Sequence, residues 1–386
     1  MNVCHVITRL IIGGAQENTL LTCEGLTRRG HKVTLAVGPD TGPEGSLFEE
    51  TRARGYDVRI IPAMHRAVRP FADLAACRQL WTLFDKLCPD VVHTHSSKAG
   101  ILGRWAAHRV GVPIIVHTIH GMSFNRTQPA PIRSLYRFLE RRCARYTDAL
   151  IGVAEAMIRQ SVEAGIASPD RFVTIYSGMR TEWYDPARHD RQAIRQQWGF
   201  GEDCVVFGTV ARLFRNKGYE QLIPAMAEAS RRCPSLRFVW VGDGSQRSEY
   251  ESQLLRLGLT NRVRLTGLVP PLEVARLLAG MDAVVHASQW EGLPRVVVQG
   301  LIMSKPVISF DIDGAPEVVL PDQTGLLVPL NDIQGLAEAM VRLAGDAAMR
   351  DRMGRAGREW CLRRFDHERM VDDIESLYKK LADRRR

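Results

Sequence analysis

Short β-branched runs alternate along the chain with longer stretches of helical periodicity, the pattern of βαβ units and parallel sheets. Strands are expected at 2–8, 32–37, 58–61, 91–95, 113–118, 149–153 and 172–176. Helices are expected between them at 15–29, 45–54, 74–87, 99–109, 131–146 and 154–164. Residues from about 177 to 203 carry Gly178, Pro186 and many charges without a strand pattern, and read as a linker with one short helix. The alternation then restarts, with strands at 204–210, 237–241, 263–266, 283–287, 306–310 and 325–328 and helices at 219–231, 245–257, 272–278 and 295–303. Three helical stretches follow, at 333–344, 349–361 and 368–381. One theme played twice predicts an α/β chain of two doubly wound, Rossmann-like domains, 1–180 and 181–365. Ligands of such sheets bind outside the carboxyl ends of the strands, so two domains facing each other would place the site in the cleft between them.

A length of 386 residues suits two such cores, and 45% hydrophobic with 25% charged residues is ordinary for a soluble enzyme. There is no apolar run long enough for a membrane span, and Met1 to Val6 leads directly into a strand, so a cytoplasmic protein is expected. Cys4, Cys23, Cys77, Cys88, Cys143, Cys204, Cys233 and Cys361 form no C-x-x-C pair and read as buried, reduced thiols. The net charge of +9 is uneven: residues 1–180 carry +8 and residues 181–386 carry +1. A basic first half implies an acidic partner: nucleic acid, an anionic membrane or a phosphorylated substrate.

Candidate chemistry gathers at strand ends. After the strand at 283–287 comes Ser288-Gln289-Trp290-Glu291-Gly292-Leu293-Pro294 and then a helix. Pro294 suits its first turn, the helix amides make an anion site, and Glu291 at the mouth could take sugar hydroxyls. A helix-capping acid is the other reading of Glu291. The stretch from Gly208 to Gly218 holds Arg212, Arg215 and Lys217 where a strand gives way to a helix. Arginine offers a bidentate fork to a diphosphate and lysine a point charge. Gly242-Asp243-Gly244 could bring backbone close to a base or ribose. In the first half, Gly13-Gly14-Ala15-Gln16 opens the first helix, where small residues allow close approach of a ligand. His93, His95, His117 and His120 lie near two strand ends; without a carboxylate or cysteine at ligand spacing they suggest cleft-lining residues rather than a metal site, and His120 is the best candidate. Asp311-Ile312-Asp313 could hold a divalent ion, but reads more simply as loop or capping acids.

Together these residues resemble the GT-B glycosyltransferases, and within them the retaining family 4. The similarity spans essentially the whole chain and is carried by Gly13-Gly14-Ala15-Gln16, His120-Gly121, Arg212 with Lys217-Gly218, Gly242-Asp243-Gly244 and Glu291-Gly292-Leu293-Pro294. It implies a last helix, within 366–386, that packs back on the first domain. It implies catalytic roles for His120, Arg212, Lys217 and Glu291. Arg212 and Lys217 would neutralise the donor diphosphate; Glu291 would hold donor-sugar hydroxyls; His120 would lie near the donor sugar on the acceptor side. Gly14, Gly242, Gly292, Leu293, Pro294 and Gln299 would bind the donor. The reaction would be metal-independent, with no cofactor beyond the nucleotide sugar as co-substrate. A hexose or N-acetylhexosamine would pass, with anomeric retention, from a nucleotide-diphosphate sugar, a UDP-sugar being favoured. The acceptor would be a lipid-linked or cell-envelope glycan. One position departs from the family: its second glutamate, eight residues after the first, is Gln299 here. A Gln amide offers ribose hydroxyls one acceptor and one donor group where a carboxylate only accepts, so altered nucleotide binding is expected.

Arg133, Arg137, Arg141 and Arg145 recur every four residues and share one helix face, with Leu135, Phe138, Leu139 and Tyr146 expected to supply packing positions. With Arg66, Arg69 and Arg126 they suggest an acceptor-side face that meets an anionic membrane, peripherally on the inner face of the plasma membrane. A solvated arginine face is the alternative. Nucleic acid is not expected, because no aromatic platform interleaves the basic residues. A sugar-nucleotide epimerase, a phosphorylase and a non-catalytic nucleotide-sugar binder share the fold class and stay open at this point.

Overall fold

The computed structural model describes residues 1–40, 42, 45–51, 54–124 and 128–385. The chain divides into two compact units, one of Met1–Met179 with His367–Arg386 and one of Arg180–Asp366. In the first unit the strands are β1 (Asn2–Ile7), β2 (Lys32–Val37), β3 (Asp57–Ile60), β4 (Val91–His95), β5 (Ile114–Ile119), β6 (Ala149–Gly152) and β7 (Phe172–Thr174). The helices among them are α1 (Gly14–Arg28), α2 (Phe48–Thr51), α3 (Pro70–Leu87), α4 (Ser97–Val110), α5 (Ala130–Ala144) and α6 (Glu155–Glu163).

All neighbouring strands pair in parallel, in the order β3-β2-β1-β4-β5-β6-β7. Central strands of such a sheet are covered on both faces, and β1 and β4 are buried along nearly their whole length, polar residues included. Val3, Ile7, Leu35 and Val116 pack with α1 on one face, while Cys4, Val6, Val92 and Ile115 pack with α3 and α4 on the other. The order turns back on itself between β1 and β4. There the connections leave in opposite directions and a crevice opens outside the strand ends.

The second unit repeats the plan. It holds α7 (Arg191–Trp198), β8 (Val205–Val210), α8 (Tyr219–Arg232), β9 (Leu236–Val241), α9 (Arg247–Arg256), β10 (Val263–Gly267), α10 (Pro271–Gly280), β11 (Ala283–His286), α11 (Arg295–Ile302), β12 (Val307–Phe310), β13 (Gly325–Val328), α12 (Ile333–Gly345) and α13 (Ala347–Arg364). Its parallel order, β10-β9-β8-β11-β12-β13, reverses between β8 and β11. Asp190, Asp332 and Asp346 cap α7, α12 and α13 by accepting from the amides of Ala193, Gly335 and Met349, which fixes where these helices begin.

The closing helix α14 (His367–Asp383) belongs to the first unit. Its buried residues Met370, Val371, Ile374, Tyr378 and Leu381 recur at helical spacing and join the core beside α1. A Cβ on Gly25 of α1 would stand 2.7 Å from Val371, so the glycine sets how closely the two helices approach. Arg29, just past α1, reaches Asp372 at 2.6 Å and His31 reaches Glu375 at 2.9 Å along the rim of this contact.

Three expectations need correction. Leu135 and Phe138 of α5 do not pack inward: they are 56% and 62% exposed, and Ile132 is 45% exposed beside them. The inward face of α5 is carried by Glu140, Cys143 and Ala144. Cys88 is exposed, at a left-handed position that ends α3; all eight cysteines are free. The helix expected at 45–54 shrinks to Phe48–Thr51, partly beside residues outside the described set, as is Arg126. Among the described residues no helix is long and apolar enough to cross a membrane.

Candidate active site

In the second unit the two loops singled out by sequence leave from β8 and β11, the strands on either side of the reversal. After β8 the chain passes Arg212 and makes one tight 3-10 turn, Arg215–Lys217. Gly218 then starts α8 with φ of 74°, and a Cβ there would lie 1.7 Å from the Ala287 carbonyl oxygen at the end of β11. Only glycine allows this loop to lie directly on the neighbouring strand end. The Gln289 amide donates to the Asn216 carbonyl at 3.0 Å, which stitches the loops together.

This stitching brings Lys217 to Glu291. The ammonium Nζ donates to Glu291 Oε1 at 2.5 Å, Ser288 Oγ donates to the same oxygen at 2.8 Å, and His286 Nε2 stands 3.6 Å from it. The side chains of Lys217 and Glu291 are 15% and 23% exposed, so the pair is neither sealed nor fully solvated. Burial alone would raise the Glu291 carboxyl; the Lys217 ammonium and His286 outweigh it and hold the group well below the usual carboxylate range. Glu291 is therefore an ionised, acceptor-only group at neutral pH.

Asp313, expected as a loop or capping acid, supports Glu291 through the backbone. Its Oδ2 accepts from the Glu291 amide at 2.6 Å, and Gly314 N donates to Gly292 O at 3.1 Å. Asp313 adopts φ of 46°, a left-handed backbone that a non-glycine residue takes at some cost. It is a loop acid, as one of its two readings had it. Gly292, Leu293 and Pro294 are buried, and Pro294 occupies the cap position just before α11 rather than its first turn. Gln299 lies half-buried on α11.

Gly242 ends β9 with φ of 140°, and a Cβ on it would stand 2.2 Å from the Ala211 carbonyl oxygen. The Ala211 amide donates to Val241 O and Leu213 N to Asp243 O, so the Arg212 loop is laced to the glycine turn. The Arg212 guanidinium lies over the Phe214 ring, 4.8 Å from its centre. Arg212, Lys217, Gly242, Glu291 and the Gly292–Pro294 turn thus border one end of one sheet.

In the first unit, Gly14 opens α1 behind an extended Gly13. The histidines separate by burial. His93, His95 and His117 are buried, and His120 is half-buried just beyond β5. Strand register adds a member that sequence reading missed: His5 of β1 pairs with His93 of β4. His5, His93 and His95 bring ring nitrogens within 4.8 Å of one another. As a metal site the trio fits poorly. Among the described residues it includes no carboxylate or thiolate to offset a dication, and both His93 nitrogens are engaged, by Tyr378 at 2.5 Å and Thr118 at 2.7 Å. His117 accepts or donates at Thr94 Oγ1, 2.9 Å away.

The arginines of α5 also separate. Arg137 and Arg141 both donate to the Ala164 carbonyl that ends α6, at 3.2 and 2.5 Å, and Arg137 lies over the Phe124 ring. These two act as a cationic cap on a helix C-terminus. Arg145 is exposed and Arg133 half-buried.

Two family models match the chain: Glycosyl transferases group 1 over residues 190–360 and Glycosyl transferase 4-like domain over residues 13–178. The chain is 28% identical over 382 residues to an Escherichia coli protein named UDP-Gal:alpha-D-GlcNAc-diphosphoundecaprenol alpha-1,3-galactosyltransferase, covering 98% of this chain and 96% of that one. It is 30% identical to the Bacillus subtilis putative glycosyltransferase EpsD, covering 81% and 82% of the two chains. Its fold matches that of Anabaena HepE, solved with UDP and glucose, with a TM-score of 0.84 at 22% identity over 98% of this chain and 99% of that one. These relatives give the epimerase reading no support. The chain belongs to the group 1 glycosyltransferases, and is a glycosyltransferase of the two-domain GT-B fold.

Proposed function

We propose that the protein moves a hexose or N-acetylhexosamine from a UDP-sugar to a lipid-linked or cell-envelope glycan, retaining the anomeric configuration and using no metal. The carrying observation is the Lys217–Glu291 pair at the reversal of the second sheet. It is a cation suited to a diphosphate, held against a carboxylate suited to sugar hydroxyls. Among the described residues, the contacts of the Glu291 carboxylate with Lys217, Ser288 and His286 fall on Oε1, and in this reading Oε2 takes the sugar hydroxyl. In this reading Arg212 and Lys217 take up charge on the departing diphosphate. In a partly dried site such preorganised charges are the main electrostatic contribution to the rate. Gly242 admits the nucleoside, Gly14 and Gly292 to Pro294 approach the donor, and Gln299 meets the ribose. The departing phosphate helps deprotonate the acceptor. The E. coli relative's name, with UDP-Gal as donor and a diphosphoundecaprenol-linked acceptor, supports the UDP and lipid-linked choices.

The acceptor reading extends to an anionic membrane surface on the cytoplasmic side. α5 packs on α4 through the Arg104–Glu140 pair at 2.6 Å and turns Ile132, Leu135 and Phe138 outward. The same layer exposes Phe71, Leu74 and Trp81 on α3 and Trp105 on α4. Exposed apolar side chains among Arg133, Arg142 and Arg145 are what an interfacial helix presents to anionic lipid. A thermal-shift panel of UDP-, GDP- and ADP-sugars, followed by release of nucleotide in the presence of a lipid-linked glycan, tests the function. Stabilisation by a UDP-sugar and acceptor-dependent UDP release are expected. Indifference to every nucleotide overturns the proposal.

A further inference from the structure

Three imidazoles form a chain from the core of the first unit to its candidate site residue. His5 Nδ1 lies 3.0 Å from His95 Nε2, and His95 Nδ1 lies 3.0 Å from His120 Nε2. The rings of His5 and His95 stack at 5.3 Å, and His93 stacks on His95 at 4.3 Å. His93 stands outside the chain, because its own nitrogens serve Tyr378 and Thr118. His5 and His95 are 0% exposed. Burial lowers His5 to about 3, and burial reinforced by the neighbouring imidazoles of His93, His120, His5 and His117 takes His95 well below its ordinary value. Both rings are neutral at physiological pH.

A neutral imidazole has one N–H and one lone pair. Two hydrogen bonds through His95 can therefore run in one of two senses. Running inward, His120 donates from Nε2 to His95, His95 donates from Nε2 to His5, and the proton of His5 is left on its own Nε2. Running outward, His5 donates from Nδ1, His95 donates from Nδ1, and His120 receives at Nε2 and keeps its proton on Nδ1. The far end of the chain chooses between them. His5 Nε2 is buried and, among the described residues, has no hydrogen-bond partner. An orphaned N–H in a protein core is rarer and costlier than an orphaned acceptor, so the outward sense wins.

We propose that His5 and His95 are positioning residues that lock His120 in the Nδ1–H form. His120 then meets an oxygen of the substrate, a sugar hydroxyl or a phosphoryl oxygen, as a hydrogen-bond donor. Its lone pair is committed to His95, so it does not serve as the base that deprotonates the acceptor. The functional half rests on the proposed transfer reaction and deepens it, leaving the departing phosphate as the proton acceptor. The tautomer itself does not depend on that reaction.

Two measurements test the lock. The full chain labelled with 15N at histidine is read by long-range 1H–15N correlation at neutral pH, with His120 assigned from the spectrum of His120→Gln. A proton on Nδ1 and a bare Nε2 are expected; a proton on Nε2 overturns the proposal whether or not the chain transfers sugar. In turnover, His95→Gln can still accept from His5 and donate to His120, whereas His95→Leu can do neither. His95→Gln should keep most of kcat, and His95→Leu should lose roughly tenfold, the worth of about one hydrogen bond, with the donor KM little changed. Equal kcat in the two variants removes the positioning role. If His95→Leu does not fold, the spectrum of the unsubstituted chain still decides. A locked Nδ1–H in a chain that turns over no sugar nucleotide would sink the transfer reading and leave the tautomer standing.

Discussion

Lys217 and Glu291 are 74 positions apart in sequence and meet at 2.5 Å because their strands, β8 and β11, lie side by side where the sheet order reverses. Each partner fixes the other. The ammonium keeps the carboxylate ionised, and the carboxylate holds the ammonium in place before any diphosphate arrives. Substituting Glu291→Gln keeps the shape and removes the charge. We expect kcat/KM to fall by roughly a hundredfold or more, the scale seen when one preorganised charge interaction at a reacting centre is removed. Initial-rate kinetics check it; activity within a few fold of the parent would show that Glu291 does not hold the sugar.

The same pair makes a statement about pH. The folded-state value of Glu291 lies below its unfolded value, so its contribution to stability is fully present above the ordinary carboxylate range, declines as pH falls below that range and is gone below the depressed value. The melting-point difference between the parent chain and Glu291→Gln should hold constant from about pH 8 to about pH 5 and narrow only in stronger acid. A difference that changes near neutrality would contradict the ionised pair.

Gly218 is the position where backbone geometry and chemistry are most tightly linked. Gly218→Ala places a methyl group 1.7 Å from the Ala287 carbonyl in a left-handed backbone, so the Lys217 turn must lift away from β11. A loss of at least ~1–3 kcal/mol of stability is expected from the backbone strain alone, together with loss of turnover. Denaturant unfolding and an activity assay on the folded fraction would check both, and a neutral substitution would refute the fit.

Gln299→Glu supplies the carboxylate of the family pattern on α11. If residue 299 meets the ribose, UDP should bind about three- to tenfold more tightly, as a charge-assisted hydrogen bond replaces a neutral one. Isothermal titration measures this directly. Unchanged or weaker binding would place the ribose elsewhere.

On α5 the apolar and basic positions should part company. The pair of substitutions Leu135→Ser and Phe138→Ser, at exposed sites, should release the protein from anionic vesicles in flotation while leaving the melting point within about 1 °C, the usual range for surface substitutions. Arg137→Ala should do the reverse. It removes a donor to the Ala164 carbonyl and a cation over Phe124, and so should lower the melting point with little effect on flotation. No binding of the parent chain to such vesicles at low salt would remove the membrane reading.

The strands were legible because short runs rich in β-branched residues stand between turn residues and helical stretches: 32–37, 91–95 and 325–328 coincide with β2, β4 and β13. Helix starts were less so. α3 begins at Pro70 rather than near Leu74, since a proline in the first turn continues the helix further back than the apolar stripe shows. The donor-side loops were legible as motifs, but the pairing of Lys217 with Glu291 depends on strand order, which no local pattern states. His5 was missed for the same reason. A lone histidine in an apolar strand carries no signal until register sets it opposite His93. Asp313 was read as a loop or capping acid, but its support of Glu291 escaped, because it lies in a left-handed backbone and one hydrogen bond to an amide. Leu135 and Phe138 were misread because periodicity names an apolar face without saying whether anything covers it.

The first unit is a discontinuous piece of chain, completed by α14. During synthesis the ribosome therefore finishes β1 to β7 long before Tyr378 exists to meet His93, and the whole of Arg180–Asp366 emerges in between. The second unit can fold as an uninterrupted stretch, while the first waits with the apolar stripe beside α1 uncovered. A chain cut before residue 367 would leave that stripe bare, an apolar surface of the kind that draws incompletely folded chains into aggregates.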